Sequence, residues 1–242
     1  MQIIPLSEGA FSIDSSKQFV PFDKTSDDIQ SRPTGSLLVE IQPFVVVTSE
    51  DVLLLDTGLG FTTGGELQLY HNLHAAGIAP QKITKVLMGH LHKDHAGGVS
   101  YTEAGTRRLS FPQATYYIQQ NEFAFAREKG FPSYLLEELN CLEHAPNVQW
   151  LEGDGVIDGY IKYRVDGGHC PWHQSFTIVD GGETVFFGGD NAPQLQQMKS
   201  KFVAKYDYDG RKAMELRQQW WAEGQAAGWK FLFYHDIKTP VF

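Results

Sequence analysis

"MGHLHKDHAGGVS", residues 88–100, is the most informative stretch of the chain, because it concentrates side chains that bind metals. Three of the nine histidines and one aspartate fall within the six positions from His90 to His95. On a continuing strand, His90 and His92 face the same side, since side chains alternate along a strand. Gly97 and Gly98 are expected to let the backbone turn sharply just beyond the cluster. Imidazole nitrogens and carboxylate oxygens suit zinc, iron and manganese, so the stretch predicts a metal site.

Further candidate ligands lie where other apolar strands end. His169 follows "VDGG", Asp190 follows "TVFFGG", and His235 follows "KFLFY". A solvated histidine-rich loop is the alternative for the first cluster, and a structural role is the alternative for each later residue taken alone. The whole set favours a metal centre. Four donors within six residues exceed what one tetrahedral ion takes from a single turn, which indicates two ions.

Composition limits the classes of partner. The 242 residues carry a net charge of −9, which argues against a nucleic-acid partner. No apolar run approaches the roughly 20 residues that span a bilayer, and the N-terminal "MQIIPLSEGAFSID" lacks the pattern of a signal peptide. Cys141 and Cys170 are too few for a disulfide framework. We therefore expect a cytoplasmic protein with reduced thiols and a small-molecule substrate, without nucleic-acid or membrane partners.

Short apolar runs alternate with helical patterns along the whole chain, and no linker divides it. The patterns predict helices over 64–77, 121–129, 133–144 and 208–227. They predict strands over 44–49, 51–58, 83–90, 114–120, 148–153, 160–168, 175–182, 184–190 and 229–236. We expect one domain, residues 1–242, with a mixed α/β architecture.

Five motifs resemble those of one family. "HLHKDH" matches the H-x-H-x-D-H signature of the metallo-β-lactamase superfamily, and "GGHCPWHQSF" resembles its G-H-T-P-G-H-S segment. "LLLDTG" resembles its early Asp-x-Gly strand, "FFGGD" its strand ending in Gly-Asp, and "FYHD" its last histidine. The motifs follow the family's order and span about residues 40 to 236. The resemblance implies an α/β fold, a four-layer αββα sandwich with the metals at one edge between the sheets.

The resemblance also implies a ligand set. The seven implied ligands form two groups and a bridge: His90, His92 and His169 for one metal, Asp94, His95 and His235 for the other, and Asp190 between them. The implied cofactor is two divalent ions, with zinc expected and iron, manganese or cobalt as alternatives.

Other positions receive supporting roles or none. By the resemblance, Asp56 orients a ligand imidazole, with a plain Asp-Thr-Gly turn as the alternative. His173 is expected to be structural, and Cys170, where the family has threonine, is expected to pack in the interior. Three further histidines are expected on helix surfaces without a role: His71, His74 and His144.

The activity implied by the resemblance is hydrolysis of a small molecule. Two ions roughly 3.5–4 Å apart can share a water and bring its pKa near 7. The bridging hydroxide would attack an ester or lactone, and Asp94 would pass a proton to the leaving group. Acyl-homoserine lactonases and aryl or organophosphate esterases are the expected group. A glyoxalase-II-like thioesterase and a mononuclear iron enzyme that oxidises persulfides are the alternatives, and the oligomeric state, a dimer included, stays open.

Two departures from the lactonase branch concern the substrate pocket. Cys170-Pro171-Trp172 replaces Thr-Pro-Gly, and Asn191-Ala192-Pro193 follows the bridging aspartate where that branch has a tyrosine soon after it. Tyr206 and Tyr208 are candidate substitutes for that tyrosine. The aromatic stretch 111–134 could wall an acyl pocket, although plain core packing is the favoured interpretation.

Overall fold

The computed structural model describes residues 1–103 and 105–242. Its strands are β1 (Gln2–Pro5), β2 (Gly9–Ile13), β3 (Phe19–Phe22), β4 (Leu37–Ile41), β5 (Phe44–Val47), β6 (Val52–Leu55), β7 (Thr62–Thr63), β8 (Glu66–Leu67), β9 (Lys85–Leu87), β10 (Ser100–Glu103), β11 (Thr106–Leu109), β12 (Thr115–Gln119), β13 (Val148–Leu151), β14 (Gly155–Ile157), β15 (Ile161–Val165), β16 (Gln174–Asp180), β17 (Glu183–Phe187) and β18 (Lys230–Leu232). Its α-helices are α1 (Gln68–Ala75), α2 (Lys93–Ala96), α3 (Gln120–Lys129), α4 (Leu136–Leu139), α5 (Leu195–Met198) and α6 (Gly210–Ala227).

Two main sheets bring the ends of several strands to one edge. The first has the order β1-β5-β6-β9-β12-β13, and β6, β9, β12 and β13 run parallel. The second has the order β14-β15-β16-β17-β18, and β18 runs parallel to β17. Strands β6 and β9 therefore end together, just before Asp56 and His90, and β17 and β18 end together, just before Asp190 and His235. A smaller sheet, β3-β2-β4, lies beside these ends, and two two-stranded sheets, β7-β8 and β10-β11, are also present.

Three buried clusters confirm the αββα layering. The middle cluster joins the two sheets, for example Phe44 and Leu55 of the first with Phe176 and Phe187 of the second. An outer cluster packs α1 and α3 on the first sheet, and another packs Trp220 of α6 on the second. The four side chains named at the sheet interface are fully buried, and replacing one of the three phenylalanines by alanine is expected to cost about 3–5 kcal/mol.

Some predicted elements are shorter in the structure. The helix predicted over 64–77 begins at Gln68, because Gly64 and Gly65 adopt positive φ in the turn between β7 and β8. The helix predicted over 133–144 is reduced to α4 and one 3₁₀ turn, Asn140–Leu142. The strand predicted over 83–90 ends at Leu87, so the histidines lie on the loop and short helix that follow it. Among the described residues, no helix is both long and apolar enough to cross a bilayer.

Candidate metal centre

The segment after β9 carries four of the predicted ligands on a loop and the short helix α2. The chain turns just beyond the cluster, as predicted, through a 3₁₀ helix at Gly97–Val99, but Gly97 has an ordinary helical φ of −59°, so its backbone conformation does not require glycine. Both glycines are needed for close packing instead. A β-carbon on Gly97 would lie 2.3 Å from the carbonyl oxygen of Leu59, and one on Gly98 would lie 2.2 Å from that of Thr57. The ligand segment is therefore pressed against the loop that follows β6.

The first group of predicted ligands consists of three imidazoles. Nδ1 of His92 lies 3.0 Å from Nε2 of His90 and 3.0 Å from Nε2 of His169. His90 and His169 are buried and His92 is half-buried. Three ring nitrogens at these distances fit donation of their lone pairs to one cation between them.

The second group contains two imidazoles and two carboxylates. One oxygen or nitrogen from each of Asp94, His95, Asp190 and His235 lies within 4.8 Å of every other. Nε2 of His95 and Nε2 of His235 are 3.3 Å apart. This mixture of nitrogen and oxygen donors is typical of sites for zinc and related divalent metals.

Asp190 lies between the two groups. Its Oδ2 is 3.2 Å from Nε2 of His169, which belongs to the first group. Its Oδ1 is 3.1 Å from Nε2 of His95 and 3.0 Å from Nε2 of His235, which belong to the second. One carboxylate thus presents a separate oxygen to each group. The structure brings all seven predicted residues together, while their function as ligands remains a prediction.

The outward-facing ring nitrogens of three histidines test whether these residues fit a metal. Nδ1 of His95 lies 2.7 Å from Oδ2 of Asp56, and Nδ1 of His235 lies 2.8 Å from the carbonyl oxygen of Glu40. Nδ1 of His169 lies 2.8 Å from Oδ1 of Asp207. An oxygen acceptor holds the proton on each Nδ1, which leaves the lone pair of each Nε2 directed into the centre. The donor set therefore fits divalent metal ions.

The electrostatics of the centre divide along the same two groups. Burial, together with the neighbouring imidazoles, holds the pKa of His90 and of His92 well below the usual range. Burial also opposes charge on His95, but Asp190 and Asp94 outweigh it and raise the pKa of that imidazole. His235 and His95 hold the pKa of Asp190 well below its usual range despite burial. His90 and His92 thus present neutral imidazoles in the first group, and the carboxylates attract positive charge to the second.

Asp56 contacts a predicted ligand directly, as the resemblance implies. Besides its contact with His95, its Oδ1 accepts a hydrogen bond of 2.7 Å from the backbone N–H of Gly89. The residue is fully buried. Its φ of +57° lies in the left-handed region, which is uncommon for residues other than glycine. Such strain persists where the surroundings impose it, often at functional sites. Asp56 therefore positions both the imidazole and the start of the ligand loop.

Asp207 and Glu122 support the centre, although the sequence analysis did not identify either. Asp207 holds His169 from the loop before α6, and no local pattern marks it. Glu122, on α3, is buried and accepts hydrogen bonds from the backbone N–H of Leu91, at 3.2 Å, and from the hydroxyl of Tyr134, at 3.1 Å. Its Oε2 lies 3.4 Å from Sγ of Cys170. Glu122 thus connects the loop of His90 to the loop of His169, and Cys170 packs in the interior as expected.

His173 and Asn191 connect the loops from the other side. Nδ1 of His173 lies 2.7 Å from Asp166, and its Nε2 accepts a hydrogen bond of 3.1 Å from the backbone N–H of Asp190. Oδ1 of Asn191 accepts a hydrogen bond of 2.8 Å from the backbone N–H of His169. These contacts agree with the structural role expected for His173. Asp166 lies in "VDGG", directly before the candidate ligand His169. This position beside a candidate ligand is the sequence feature that could have indicated a role for Asp166.

A cavity of about 630 Å³ opens onto the centre. Five of the predicted ligands reach its wall: His92, Asp94, His169, Asp190 and His235. Tyr206 also lines it, with its ring centroid 6.2 Å from that of His169, whereas Tyr208 is 74% exposed outside it. No aromatic side chain of 111–134 lines this cavity. Phe111, Tyr116, Phe123 and Tyr134 are buried in the core, in line with the favoured packing interpretation, whereas that interpretation is wrong for Phe131, which is 78% exposed.

Comparison with known protein families identifies the fold family. A family model described as the metallo-beta-lactamase superfamily matches residues 41–220, well over half of the chain. The chain belongs to the metallo-β-lactamase superfamily. Within this fold, the predicted ligands form a centre that fits divalent metals.

Several members of the metallo-β-lactamase superfamily are similar to the chain over part or all of its length. It is 28% identical over 115 residues to the N-acyl homoserine lactonase AttM of Azorhizobium caulinodans, covering 43% of this chain and 39% of that protein. It is 25% identical to an N-acyl homoserine lactonase of Bacillus cereus, covering 66% of this chain and 68% of that one. The chain thus matches well under half of the first relative and about two thirds of the second.

Solved structures agree with the fold. A probable metal-dependent hydrolase from Staphylococcus aureus superimposes with a TM-score of 0.78 at 22% identity, covering 99% of this chain and 91% of that one. AidC, described as a dizinc quorum-quenching lactonase, superimposes with a TM-score of 0.74 at 19% identity, covering 99% and 88%. At these identities the similarity establishes the fold.

Proposed function

We propose that this protein is a dinuclear metal-dependent hydrolase of small lactones or esters. The observation that carries the proposal is the position of Asp190, whose two carboxylate oxygens face different groups of imidazoles. A bridging carboxylate is useful where two ions act together on one substrate, as in hydrolases with two metals. In this proposal His90, His92 and His169 hold one ion, Asp94, His95 and His235 hold the other, and zinc is the expected metal.

The cavity supports a small-molecule substrate. Its volume lies within the range usual for small-ligand pockets, roughly 300–1,000 Å³. One wall is apolar and comes from the β3-β2-β4 sheet and its flanks: Ile13, Phe19, Leu37, Leu38 and Val39. The relatives named above are described as N-acyl homoserine lactonases, which makes acyl lactones the first substrates to test.

The residues of the chain supply binding and proton transfer. Bound divalent ions would activate water at neutral pH and polarise the carbonyl group of the substrate. Asp94 lines the cavity, so its carboxylate can receive the proton of the attacking water and return it to the leaving oxygen. Tyr206 lines the cavity beside His169, and its phenol, protonated at neutral pH, can donate a hydrogen bond to the substrate carbonyl.

A panel of substrates with metal analysis tests the proposal. The purified protein, loaded with zinc, manganese, iron or cobalt, is assayed with acyl lactones, alkyl and aryl esters, thioesters and phosphotriesters. Hydrolysis of lactones or esters with two ions per chain supports the proposal. Thioesters as the sole good substrates would favour the thioesterase alternative, and a single iron with persulfide oxidation would replace the proposal.

The partners and location belong to the same proposal. A small molecule is the proposed substrate, and the net charge of −9 supports the exclusion of nucleic acid. Membrane partners are likewise not expected, and the cytoplasm is the proposed location. Fractionation of cells that express the tagged chain tests this last point.

A further inference from the structure

Three lysines line the cavity of the metal centre without a carboxylate partner. They are Lys17, Lys93 and Lys205. Among residues 1–103 and 105–242, no carboxylate oxygen lies within 4.0 Å of their ammonium nitrogens. Four lysines elsewhere do have such partners: Lys24, Lys85, Lys129 and Lys230. In a protein of net charge −9, three lysines without a carboxylate within 4.0 Å thus gather around one cavity, whose wall also holds Asp14 and the predicted ligands Asp94 and Asp190.

Neutral groups hold two of these lysines in place. Nζ of Lys17 donates a hydrogen bond of 2.5 Å to Oγ of Ser133, whose carbonyl oxygen accepts one of 2.8 Å from the backbone N–H of Lys93. Nζ of Lys93 lies 5.7 Å from the ring centroid of Phe19 and 5.9 Å from that of Phe131. A hydroxyl and aromatic faces orient an ammonium group but do not neutralise it. Both charges therefore remain available to a ligand.

Two of the lysines are close in the chain to predicted ligands or to a residue that contacts one. Lys93 directly follows His92 in the chain, and Lys205 directly precedes Tyr206, whose ring lies beside that of His169. The one carboxylate of the cavity wall outside the ligand set is that of Asp14. It already accepts hydrogen bonds from Ser16, from Oγ at 2.6 Å and from the backbone N–H at 2.9 Å. Apart from the predicted ligands Asp94 and Asp190, the three lysines thus share the described cavity wall with one engaged carboxylate.

We infer that the substrate carries an anionic group, a carboxylate or a phosphate, separated by an apolar segment from the ester or lactone that is cleaved. The ammonium groups of Lys17, Lys93 and Lys205 bind the anion, and Phe19 with the rest of the β3-β2-β4 wall packs on the apolar segment. This inference rests on the proposed function and names its substrate class. A neutral acyl chain would fill the apolar wall but leave the three charges without a partner.

Matched substrates test the inference with the metal-loaded protein. Hexanoyl, 5-carboxypentanoyl and 6-aminohexanoyl esters of one alcohol share a chain length and differ in the charge at its end. The expected order of kcat/KM is carboxylate above neutral above ammonium, with about a tenfold preference for the carboxylate over the neutral ester. Since the Debye length shrinks from about 10 Å at 0.1 M salt, the preference should fall at 0.5 M salt. An ester with a terminal phosphate in place of the carboxylate distinguishes the two anions.

Variants assign the preference to the lysines. In Lys17→Met/Lys93→Met and in Lys205→Met, the ratio of kcat/KM for the carboxylate ester to that for the neutral ester should fall towards one. Lys201→Met removes an exposed lysine that does not line the cavity and should leave the ratio unchanged. A ratio near one in the parent protein, or a ratio that the cavity variants leave unchanged, overturns the inference.

Calorimetry gives a readout that does not depend on turnover. Adipate should bind the metal-loaded protein about tenfold more tightly than hexanoate, and the double lysine variant should lose the difference. Equal affinities in the parent protein would contradict the inference. If neutral esters are hydrolysed without a charge preference, the inference fails and the proposed hydrolase stands. If no ester or lactone is hydrolysed, the hydrolase proposal fails, and the calorimetric comparison still decides whether the lysines bind an anion.

Discussion

Oδ1 of Asp207 lies 2.8 Å from Nδ1 of His169, so a carboxylate from the loop before α6 fixes the orientation of a predicted metal ligand. The side chain of Asp207 is buried at 1% exposure. Below it, the fully buried Arg217 of α6 donates hydrogen bonds to the carbonyl oxygens of Asn191, at 2.8 Å, and Phe202, at 2.5 Å. Helix α6 thus holds both the loop after β17 and the segment that leads to Asp207.

Replacing Asp207 tests this support. Asp207→Asn should weaken metal binding about 10–100-fold, because the amide no longer accepts the Nδ1 proton as strongly and the imidazole loses its fixed orientation. Competition with a chromophoric chelator measures the affinity. Asp209→Asn is the control, since Asp209 caps α6 through the backbone N–H of Lys212 and asparagine caps equally well. Equal metal affinity in the two variants would remove Asp207 from the support of the centre.

Asp190 should be required by both groups of ligands. Asp190→Ala removes the carboxylate that faces His169 on one side and His95 and His235 on the other. We expect occupancy of both sites to fall and kcat/KM to drop by more than the roughly 100-fold upper limit for changes behind a ligand. Elemental analysis and the ester assay measure the two effects. Retention of one fully occupied site would show that Asp190 serves a single ion.

Asp94 and Asp56 should differ in their dependence on the leaving group. Asp94 lines the cavity and can protonate a leaving oxygen, whereas Asp56 is fully buried behind His95. Asp94→Asn should therefore slow alkyl esters or lactones about tenfold or more beyond its effect on nitrophenyl esters, because a phenoxide leaves without protonation. Asp56→Asn should slow both substrates by similar factors, through weaker metal binding.

This comparison requires that the metal content of every sample be restored and measured. The ratio of alkyl to aryl kcat/KM is the quantity to compare between the two variants and the parent protein. Equal slowing of both substrates by metal-loaded Asp94→Asn would leave Asp94 as a ligand without a function in proton transfer.

Glu8 should make stability depend on pH. Burial raises its pKa to about 7, although its Oε2 accepts a hydrogen bond of 2.7 Å from the backbone N–H of Leu59. The ordinary pKa is 4.5, so between these values the folded protein binds the extra proton. The contribution of Glu8 to the free energy of unfolding therefore decreases as the pH rises from about 4.5 through 7, and it stays low above that.

Glu8→Gln removes this titration. The free energy of unfolding of the variant minus that of the parent protein should be about 2 kcal/mol higher at pH 8 than at pH 5. Urea unfolding of both proteins at both pH values measures this change. Glu50→Gln, in an exposed turn, is the control and should follow the parent protein at both values. Parallel stability curves for Glu8→Gln and the parent protein would contradict the assignment.

The candidate ligands could be found in the sequence because they lie in local patterns, whereas their division between two ions and the four layers of the fold came from the resemblance to the superfamily. His90 to His95 lie within six residues, and the other candidates directly follow apolar strands. Asp207 could not be predicted in this way. It lies in a loop without periodicity, and its contact with a histidine 38 residues away depends on how α6 packs. Glu122 is similar, since a glutamate on a helix usually faces solvent and burial of this one depends on Leu91, Tyr134 and Cys170.

The predicted helix over 133–144 failed for a related reason. Its residues favour a helix, but Tyr134 supports the centre. The hydroxyl of Tyr134 donates a hydrogen bond to Glu122, and its ring centroid lies 4.8 Å from that of His92. Leu139 is buried at the end of α4, and Leu142 is buried at the end of the 3₁₀ turn that follows it. Tertiary packing outweighs the weak preference of individual residues for helix.

The dispersal of the donors along the chain couples metal supply to folding. His95 and His235 are 140 residues apart in sequence and meet only when both sheets are assembled. Ions that bind this arrangement and not the unfolded chain stabilise the native state by RT ln(1 + [L]/Kd), about 2.7 kcal/mol per site at a hundredfold excess over Kd. Chelation should consequently lower the melting temperature before any substrate is present. In a cell starved of metal, the same coupling would turn the scarcity into faster proteolysis of this chain.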